Sequence, residues 1–430
     1  MPEKTTEQRA ILVGFATDNA ELPACLSALD ELSRLLSTAG GETFAKVTQV
    51  RSLRDPRTYI GSGKVQEIAE LCKKNDVSLV VFDCELSPSQ IRNLEEDIGG
   101  GVEVIDRSML ILDIFALHAT TGEGKLQVEL AQLKYTAPRL IGKGTELSRL
   151  GGTIGTRGPG ESKLEQDRRH IKRRIDALEA QIREMESNRA TMRAARDRSG
   201  IPKVAIVGYT NAGKSTLLNY LTDAGVLSED KLFATLDPTT RRLEIGEGES
   251  VLLTDTVGFI RRLPHHLIKA FRSTLEEAAL ADILLVLVDA TDEEGEEHLS
   301  VTETLLADLG AGGKPTLYVY NKCDRLAEFP SNENAPENTV FISAADGRGV
   351  DLLLSRLLAI VQAGKRRVAL LFPYSDQGRV SSLYSFGNVE EVNYEENGVR
   401  VTAVLDAKGL GVFRAYLVNP PKREEDEWDG

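Results

Sequence analysis

One eight-residue segment constrains this chain more than any other. It fits the phosphate-loop pattern G-x-x-x-x-G-K-[ST] and consists of Gly208, Tyr209, Thr210, Asn211, Ala212, Gly213, Lys214 and Ser215. The apolar residues 204–207 predict a buried strand before it, and residues 216–221 predict a helix after it. In that setting backbone N–H groups can surround a phosphate, Lys214 can reach the β- and γ-phosphates, and the Ser215 hydroxyl can bind Mg²⁺.

The composition is that of a multidomain soluble protein. A chain of 430 residues is too long for one core, so we expect two to four domains. The net charge of −14 argues against a surface that binds nucleic acid everywhere, but it leaves room for a local basic patch.

The cysteines and apolar segments favour a cytoplasmic protein without a membrane span. The cysteines are scattered without a C-x-x-C pair, which favours neither a disulfide framework nor a zinc site and fits a reducing cytosol. They are Cys25, Cys72, Cys84 and Cys323. The N-terminal residues show no apolar signal segment, and the longest apolar run, residues 283–288, is too short to cross a bilayer.

Residues 1–108 predict a small parallel α/β domain, because short apolar runs alternate with helical patterns. The predicted strands are 10–15, 44–50, 79–83 and 102–105, and the predicted helices are 22–36, 65–72 and 89–96. Residues 60–64 look like a second phosphate loop, but they lack the first glycine and have Val65 where Ser or Thr belongs. We interpret them as a glycine turn that opens a helix, and we see no catalytic constellation in this domain.

Residues 109–198 predict a helical hairpin. Leu126, Leu130 and Leu133 share one helical face, and a glycine-rich loop follows them. A second apolar series then repeats at coiled-coil spacing in a helix that starts near Glu161 and ends before Gly200.

The hairpin is basic in an acidic chain. Residues 134–198 hold 16 Lys or Arg and 9 Asp or Glu, which gives about +7. The cations around the loop and the first helical turns are Arg149, Arg157, Lys163, Arg168, Arg169, Lys172, Arg173 and Arg174. Such a tip suits the phosphate backbone of folded RNA, whereas the alternative is an ordinary solvated helix face. Aromatic residues are few here, which disfavours stacking on single strands.

Residues 199–364 continue the nucleotide site with further motifs in order. The segment expected to close over the γ-phosphate is Phe233, Ala234, Thr235, Leu236 and Asp237. A threonine hydroxyl there completes Mg²⁺ coordination, and spacing alone does not choose among Thr235, Thr239 and Thr240. The D-x-x-G motif is Asp255, Thr256, Val257 and Gly258. We expect Asp255 to hold Mg²⁺ through water and the Gly258 N–H to contact the γ-phosphate.

The N-K-x-D motif selects the base. It follows an apolar strand and consists of Asn321, Lys322, Cys323 and Asp324. The Asp324 carboxylate can accept from N1–H and the 2-amino group of guanine, and adenine would leave it unpaired at a cost of ~1–3 kcal/mol. The Lys322 stem can cover the base, and the loop of Ser343, Ala344 and Ala345 can meet guanine O6.

Phe259 follows D-x-x-G, where many GTPases have a glutamine that orients the attacking water. A phenylalanine cannot do this, so we expect slow intrinsic hydrolysis and no catalytic residue is assigned. The missing group must come from elsewhere in the chain or from a partner. Arginines that could stabilise transition-state charge, without a ranking, are Arg241, Arg242, Arg261 and Arg262. His265 and His266 could also assist, although we favour ordinary surface positions for both.

Residues 365–430 predict a small α+β domain without evident chemistry. Residues 368–372 predict a strand and residues 379–385 a helix. Two further strands, 389–394 and 399–405, flank the hairpin turn Asn397-Gly398. The acidic tail at 422–427 is expected to be disordered.

The sequence resembles the HflX GTPases, ribosome-associated P-loop GTPases. Besides the nucleotide motifs, the resemblance rests on residues 125–135, 155–165 and 167–169. It implies that Thr235 is the switch threonine for Mg²⁺ and that a hydrophobic residue after D-x-x-G is a family trait. Small departures are Thr153, where glycine is common, and Ser162, where threonine is common.

The resemblance also implies a function. The hairpin would contact ribosomal RNA of the large subunit, GTP would favour the bound state, and the protein would split stalled ribosomes under stress. The ribosome would then stimulate hydrolysis. Apart from the resemblance, we expect the protein to be a monomer. Two alternatives stay open: an RNA-modifying GTPase, although the last cysteine is Cys323 inside the GTP site, and a regulatory scaffold that binds proteins.

Overall fold

Three β-sheets with their helices organise the described part of the chain. The computed structural model describes residues 8–140, 159–197, 201–222, 232–233, 238–261, 277–384 and 386–418. The α/β multidomain architecture predicted from the sequence is confirmed, whereas the residue boundaries between the domains stay a prediction. None of the helices in these ranges is both long and apolar enough to cross a lipid bilayer.

The N-terminal sheet is parallel, in the order β2-β1-β3-β4. Its elements are β1 (Gln8–Ala16), α1 (Leu22–Thr38), β2 (Gly41–Val50), α2 (Ser62–Asn75), β3 (Leu79–Phe82), α3 (Pro88–Ile98), β4 (Glu103–Asp106) and α4 (Arg107–His118). Side chains alternate across β1, so that Ala10 and Leu12 join the core under α1 and α4, while Ile11 and Val13 join the core under α2 and α3. Strands apolar on both faces form a sheet covered on both sides.

Two long helices follow, α5 (Gly122–Leu140) and α6 (Pro159–Asp197). They pack through a small apolar seam in which Leu178 is fully buried. Its members are Leu126, Leu130, Leu133, Ile175, Leu178 and Ile182. Both predicted helices are confirmed, and three members of the apolar series predicted for α6 lie in this seam. Residues 141–158, which hold most of the glycine-rich loop, lie outside the described residues.

The central sheet has six strands in the order β10-β9-β8-β5-β7-β6 and is parallel except for β6. Its elements are β5 (Lys203–Gly208), α7 (Lys214–Thr222), β6 (Thr239–Gly246), β7 (Glu249–Asp255), β8 (Ile283–Asp289), α8 (Gly295–Asp308), β9 (Thr316–Asn321), β10 (Thr339–Phe341) and α9 (Val350–Ala363). The phosphate loop leaves the central strand β5 at its carboxyl end and enters α7. Ligands in such sheets bind at this edge.

The C-terminal sheet is antiparallel, in the order β11-β13-β12. Its elements are β11 (Arg366–Phe372), α10 (Val380–Leu383), β12 (Gly387–Glu395), β13 (Gly398–Leu405) and α11 (Ala407–Val412). The predicted hairpin is confirmed. The helix predicted at 379–385 is shorter, because a 3₁₀ turn (Tyr374–Arg379) precedes α10 and contains Gly378, a weak helix former. The acidic tail lies outside the described residues.

One apolar core joins the N-terminal sheet to the central sheet. It runs from α1 and α4 to Phe233, Phe259 and Ile260, all of them at least 97% buried. The ring of Phe115 on α4 meets Phe233 edge-on, with 4.8 Å between centroids. The N-terminal domain therefore packs directly against the segments that flank the nucleotide site.

Candidate functional site

The phosphate loop holds its lysine inward. Lys214 is 6% exposed, and its ammonium group donates to the carbonyl oxygens of Tyr209 (2.8 Å) and Gly208 (3.2 Å). Burial lowers the pKa of Lys214 to about 8, an effect that the Asp255 carboxylate opposes. Gly213 has φ +93°, and a Cβ there would lie 2.3 Å from the Asn321 amide nitrogen, so only glycine fits.

The predicted magnesium residues come together beside this loop. The Ser215 hydroxyl donates to the Asp255 carboxylate over 2.7 Å, and Asp255 is fully buried at the end of β7. A hydroxyl and a carboxylate are hard oxygen donors, which fit Mg²⁺ together with phosphate oxygens. The expected third group, Thr235, lies outside the described residues.

The D-x-x-G segment lies on the phosphate loop. The Phe259 N–H donates to the Gly208 carbonyl (3.0 Å), and the Thr210 N–H donates to the Phe259 carbonyl (2.8 Å). Thr256 hydrogen-bonds the Ile206 carbonyl of β5 at 2.8 Å. The Phe259 ring is 1% exposed, and a hydrocarbon ring in a core has no group with which to orient water.

Asn321 connects the base-binding motifs to the phosphate loop. Its side-chain amide donates to the Ala212 carbonyl and accepts from the Ala344 N–H, both at 2.9 Å. Lys322 has a left-handed backbone (φ +64°) and pairs with Asp289 at 2.8 Å. Asp324 is exposed in the 3₁₀ turn that follows β9, where its carboxylate is open to a base.

The loop expected at guanine O6 begins with a buried residue. Ser343 is fully buried and accepts from the N–H of Asp346 at 3.4 Å, Ala344 is 3% exposed, and Ala345 is exposed. The strand ends thus bring together the phosphate loop, D-x-x-G, N-K-x-D and this loop. That arrangement can bind a guanine nucleotide from phosphate to base.

Several predicted residues lie outside the described residues. They are Ala234, Thr235, Leu236, Asp237, Arg149, Arg157, Arg262, His265 and His266, together with the side chain of Lys163. Of the other threonines considered, Thr240 pairs with Thr254 (2.9 Å between hydroxyls) and Thr239 begins β6. Phe233 packs in the core between domains and has φ +58°.

Five of the predicted RNA-contacting cations have described side chains, and these lie on the first half of α6. Arg168, Arg169, Lys172 and Arg173 are exposed. Arg174 is also exposed, but its guanidinium forms two 2.7 Å hydrogen bonds to Glu129 of α5. Arg174 therefore helps to hold the two helices together, and RNA contact by the group stays a prediction.

Sequence reasoning missed two residues of the N-terminal domain that lie at the phosphate loop. The Tyr209 hydroxyl donates to Glu31 of α1, and Arg107 of α4 pairs with the same carboxylate at 2.5 Å. Both charged side chains are at most 3% exposed. The sequence did hold one indication of their pairing. Arg107 opens an apolar helix and Glu31 lies on the apolar side of α1, so both charges could have been expected to be buried. Buried charges are nearly always paired.

Three family models match consecutive parts of the chain. Their descriptions are "GTP-binding GTPase N-terminal" for residues 27–116, "GTP-binding GTPase Middle Region" for 118–196 and "50S ribosome-binding GTPase" for 203–322. The matches follow the order of the N-terminal sheet, the helix pair and the central sheet.

Curated relatives named GTPase HflX match nearly the whole chain. The relative from Lacrimispora saccharolytica is 47% identical over 94% of this chain and 95% of its own length. That from Caldanaerobacter subterraneus is 48% identical over 96% and 94%, and that from Escherichia coli K12 is 43% identical over 86% and 87%. Together with the geometry of the phosphate loop, these matches show that the protein is a GTPase and that the chain belongs to the HflX family.

Proposed function

We propose that the protein is a GTP-controlled switch that binds the large ribosomal subunit through ribosomal RNA and dissociates stalled ribosomes under stress. The proposal rests on one observation above all, the exposed cationic surface of α6 formed by Arg168, Arg169, Lys172 and Arg173. Binding to ribosomes would place the protein in the cytoplasm. We also propose that it acts as a monomer.

This cationic surface is costly for an isolated helix. Arg168 and Lys172, and likewise Arg169 and Arg173, are like charges four residues apart, and each such pair destabilises a helix by about 0.2–0.5 kcal/mol. A polyanion on this face would turn that repulsion into attraction, and the backbone of folded RNA is such a polyanion.

The helix pair has a packing route to the nucleotide site. α4 packs against α5, and Phe115 of α4 packs against Phe233, the first residue of the segment predicted to close over the γ-phosphate. A nucleotide-dependent shift of Phe233 would therefore move α4 and, through α4, the helix α5 of the pair. This route supports GTP-dependent binding of RNA.

Mg²⁺ would assist hydrolysis at this site. Ser215 would bind it directly, Asp255 would hold it through water, and Thr235 would complete the set. The ion would neutralise charge that develops on the phosphates. Since Phe259 offers no hydrogen-bonding group, we expect the ribosome to supply the group that orients water.

Co-sedimentation with large subunits tests the proposal. The protein with a non-hydrolysable GTP analogue should pellet with large subunits more strongly than the protein with GDP. Replacing Arg168, Arg169, Lys172 and Arg173 by Gln should weaken binding and lower the slope of log K against log salt by up to about four.

A matched control carries the same charge change on other domains. It replaces the exposed Lys73, Lys74, Arg366 and Arg367 by Gln. Equal loss in both variants would show a general charge effect, and unchanged binding of the α6 variant would favour a protein-binding scaffold. Turnover that is equal with and without large subunits would refute activation by the ribosome, and intact ribosomes after addition of protein and GTP would refute dissociation.

A further inference from the structure

A closed ring of hydrogen bonds joins the phosphate loop, the segment after D-x-x-G and the N-terminal domain. The Arg261 N–H donates to the Tyr209 hydroxyl at 2.8 Å, and that hydroxyl donates to Glu31. Arg107 donates to the second Glu31 oxygen at 2.5 Å and to the Arg261 carbonyl at 3.2 Å. The ring therefore returns to the residue where it began.

The ring lies in a dry environment. Glu31 is 2% exposed, Arg107 3% and Tyr209 9%. Asp83 pairs with the other side of the Arg107 guanidinium at 2.8 Å. Hydrogen bonds that involve charged groups are strong in such surroundings, and each is costly to lose.

The ring of Tyr209 is oriented by stacking, and its phenol stays protonated at neutral pH. Its ring stacks on the His298 imidazole with 3.7 Å between centroids and 13° between planes. His298 in turn contacts Asp292 at 2.6 Å through Nδ1. Burial raises the pKa of the Tyr209 phenol, which keeps it a donor to Glu31.

Arg261 is also fixed by its side chain. Its guanidinium pairs with Glu294 and with Glu297 (3.0 Å) and donates to the Ser27 hydroxyl of α1 at 3.3 Å. The N–H, the carbonyl and the guanidinium of one residue thus all have partners, and two of these partners belong to the N-terminal domain. Arg261 follows Phe259 by two positions, so the D-x-x-G segment is held at its far end.

Held in this way, Gly258 packs closely against the phosphate loop. A Cβ on Gly258 would lie 2.9 Å from the Lys214 ammonium nitrogen and 2.9 Å from the Thr210 Cα. A γ-phosphate bound to Lys214 would compete with Gly258 for the space beside the ammonium group, and Gly258 would have to move before its N–H could contact that phosphate. GDP carries no γ-phosphate and needs no such displacement.

We propose that this ring holds Gly258 against the phosphate loop, so that Glu31 and Arg107 of the N-terminal domain lower the affinity for GTP relative to GDP. Suppose that a group stabilises the arrangement without room for the γ-phosphate by a given factor. The apparent affinity for the triphosphate then falls by that factor. Glu31 and Arg107 are positioning residues here, since they act through Tyr209 and Arg261. The inference concerns nucleotide preference alone and does not depend on the ribosome.

Equilibrium binding of GDP and of a non-hydrolysable GTP analogue tests the inference. Tyr209→Phe removes one hydroxyl and keeps the ring on His298, and Glu31→Gln keeps the shape and removes the charge. In each variant the dissociation constant of the GTP analogue, divided by that of GDP, should fall about tenfold. This is the change expected from the loss of one charge-assisted hydrogen bond. The double variant should match the single variants, because all of them break the same ring.

Tyr318→Phe is the matched control. It removes a tyrosine–carboxylate hydrogen bond to Glu303 (2.7 Å) from the same domain but not from the ring. In this variant the ratio of the two dissociation constants should stay within about twofold of the wild-type ratio, a difference of about 0.4 kcal/mol.

Specific results would overturn the inference. They are an unchanged ratio in both ring variants, a shift toward GDP, or an equal shift in the Tyr318 control. If Tyr209→Phe binds neither nucleotide, Glu31→Gln decides, because it leaves the sequence of the phosphate loop intact. A structural role alone would weaken GDP and the analogue equally and would leave the ratio where it was.

Discussion

The Asn321 amide donates to the Ala212 carbonyl at 2.9 Å and so ties the base-binding motif to the phosphate loop. Its oxygen accepts from the Ala344 N–H at the same distance. Asn321 is 2% exposed, so water cannot replace either bond. One side chain thus holds together three loops that different strands contribute.

Replacing Asn321 by Ala should lower the affinity for GDP and for GTP about tenfold to a hundredfold. Two buried partners lose their hydrogen bonds, at about 0.5–1.5 kcal/mol each. Fluorescence titration with a labelled GDP measures the change.

The matched control is Asn332→Ala. Asn332 also forms two hydrogen bonds, both to Phe341 (2.8 and 3.0 Å), but none to the phosphate loop. An equal loss of affinity in the control would mean that general loosening of the sheet explains the effect.

Asp324→Asn should reduce the preference for guanine. An amide offers one acceptor and one donor, so it cannot accept from both N1–H and the 2-amino group. We expect GDP to bind about a hundredfold more weakly and xanthosine diphosphate to bind more tightly, since one lost and one gained bond are worth about 1–3 kcal/mol each. Competition between the two nucleotides measures this, and an unchanged order of affinity would contradict the role given to Asp324.

Asp113→Asn should stabilise the protein at neutral pH. Burial raises the pKa of Asp113 to about 6, although Gln132 donates to it at 3.2 Å. The folded state therefore binds a proton more tightly than the unfolded state, and ionised Asp113 costs stability as the pH rises from about 4 through 6. Asparagine keeps the acceptor for Gln132 and removes this cost.

We expect a gain of about 1–2 kcal/mol at pH 7.5 and about half of it at pH 5, after allowance for partial exposure. Denaturant unfolding at both pH values measures it. Asp97→Asn should have the opposite sign, because Arg57 lowers the pKa of Asp97. A gain that is the same at both pH values would show that charge is not the cause.

Leu178→Ala should loosen α5 from α6. Leu178 is fully buried between Leu130 and Ile182, and truncation of such a residue costs about 2–3 kcal/mol in a seam of this small size. Alanine is the better helix former, so any loss reports packing and not helix propensity.

Thermal unfolding followed by circular dichroism measures the effect of Leu178→Ala. The exposed neighbour Gln181 supplies the control, and Gln181→Ala should change little. Equal melting of the Leu178 variant and the wild type would mean that the seam does not hold the helices together.

The sequence alone determined the local chemistry of the nucleotide site. The phosphate loop, D-x-x-G and N-K-x-D are contiguous, and each needs only its own strand end to take shape, so Lys214, Asp255 and Asp324 could be placed by pattern. The parallel N-terminal sheet and the α5–α6 seam could also be predicted from the sequence, because short continuous apolar runs indicate buried parallel strands and apolar residues every three to four positions indicate the buried face of a helix.

Only the tertiary structure decided how the N-terminal domain meets that site. Glu31 and Arg107 are separated from Tyr209 by 178 and 102 positions in the sequence, and no local pattern records that they share a hydrogen-bond ring. Tyr209 occupies a position of the phosphate-loop motif at which any residue is allowed, so the motif could not predict the hydrogen bonds of its hydroxyl. Pairing of buried charges depends on packing between whole domains, and that packing arises only when the separate cores come together.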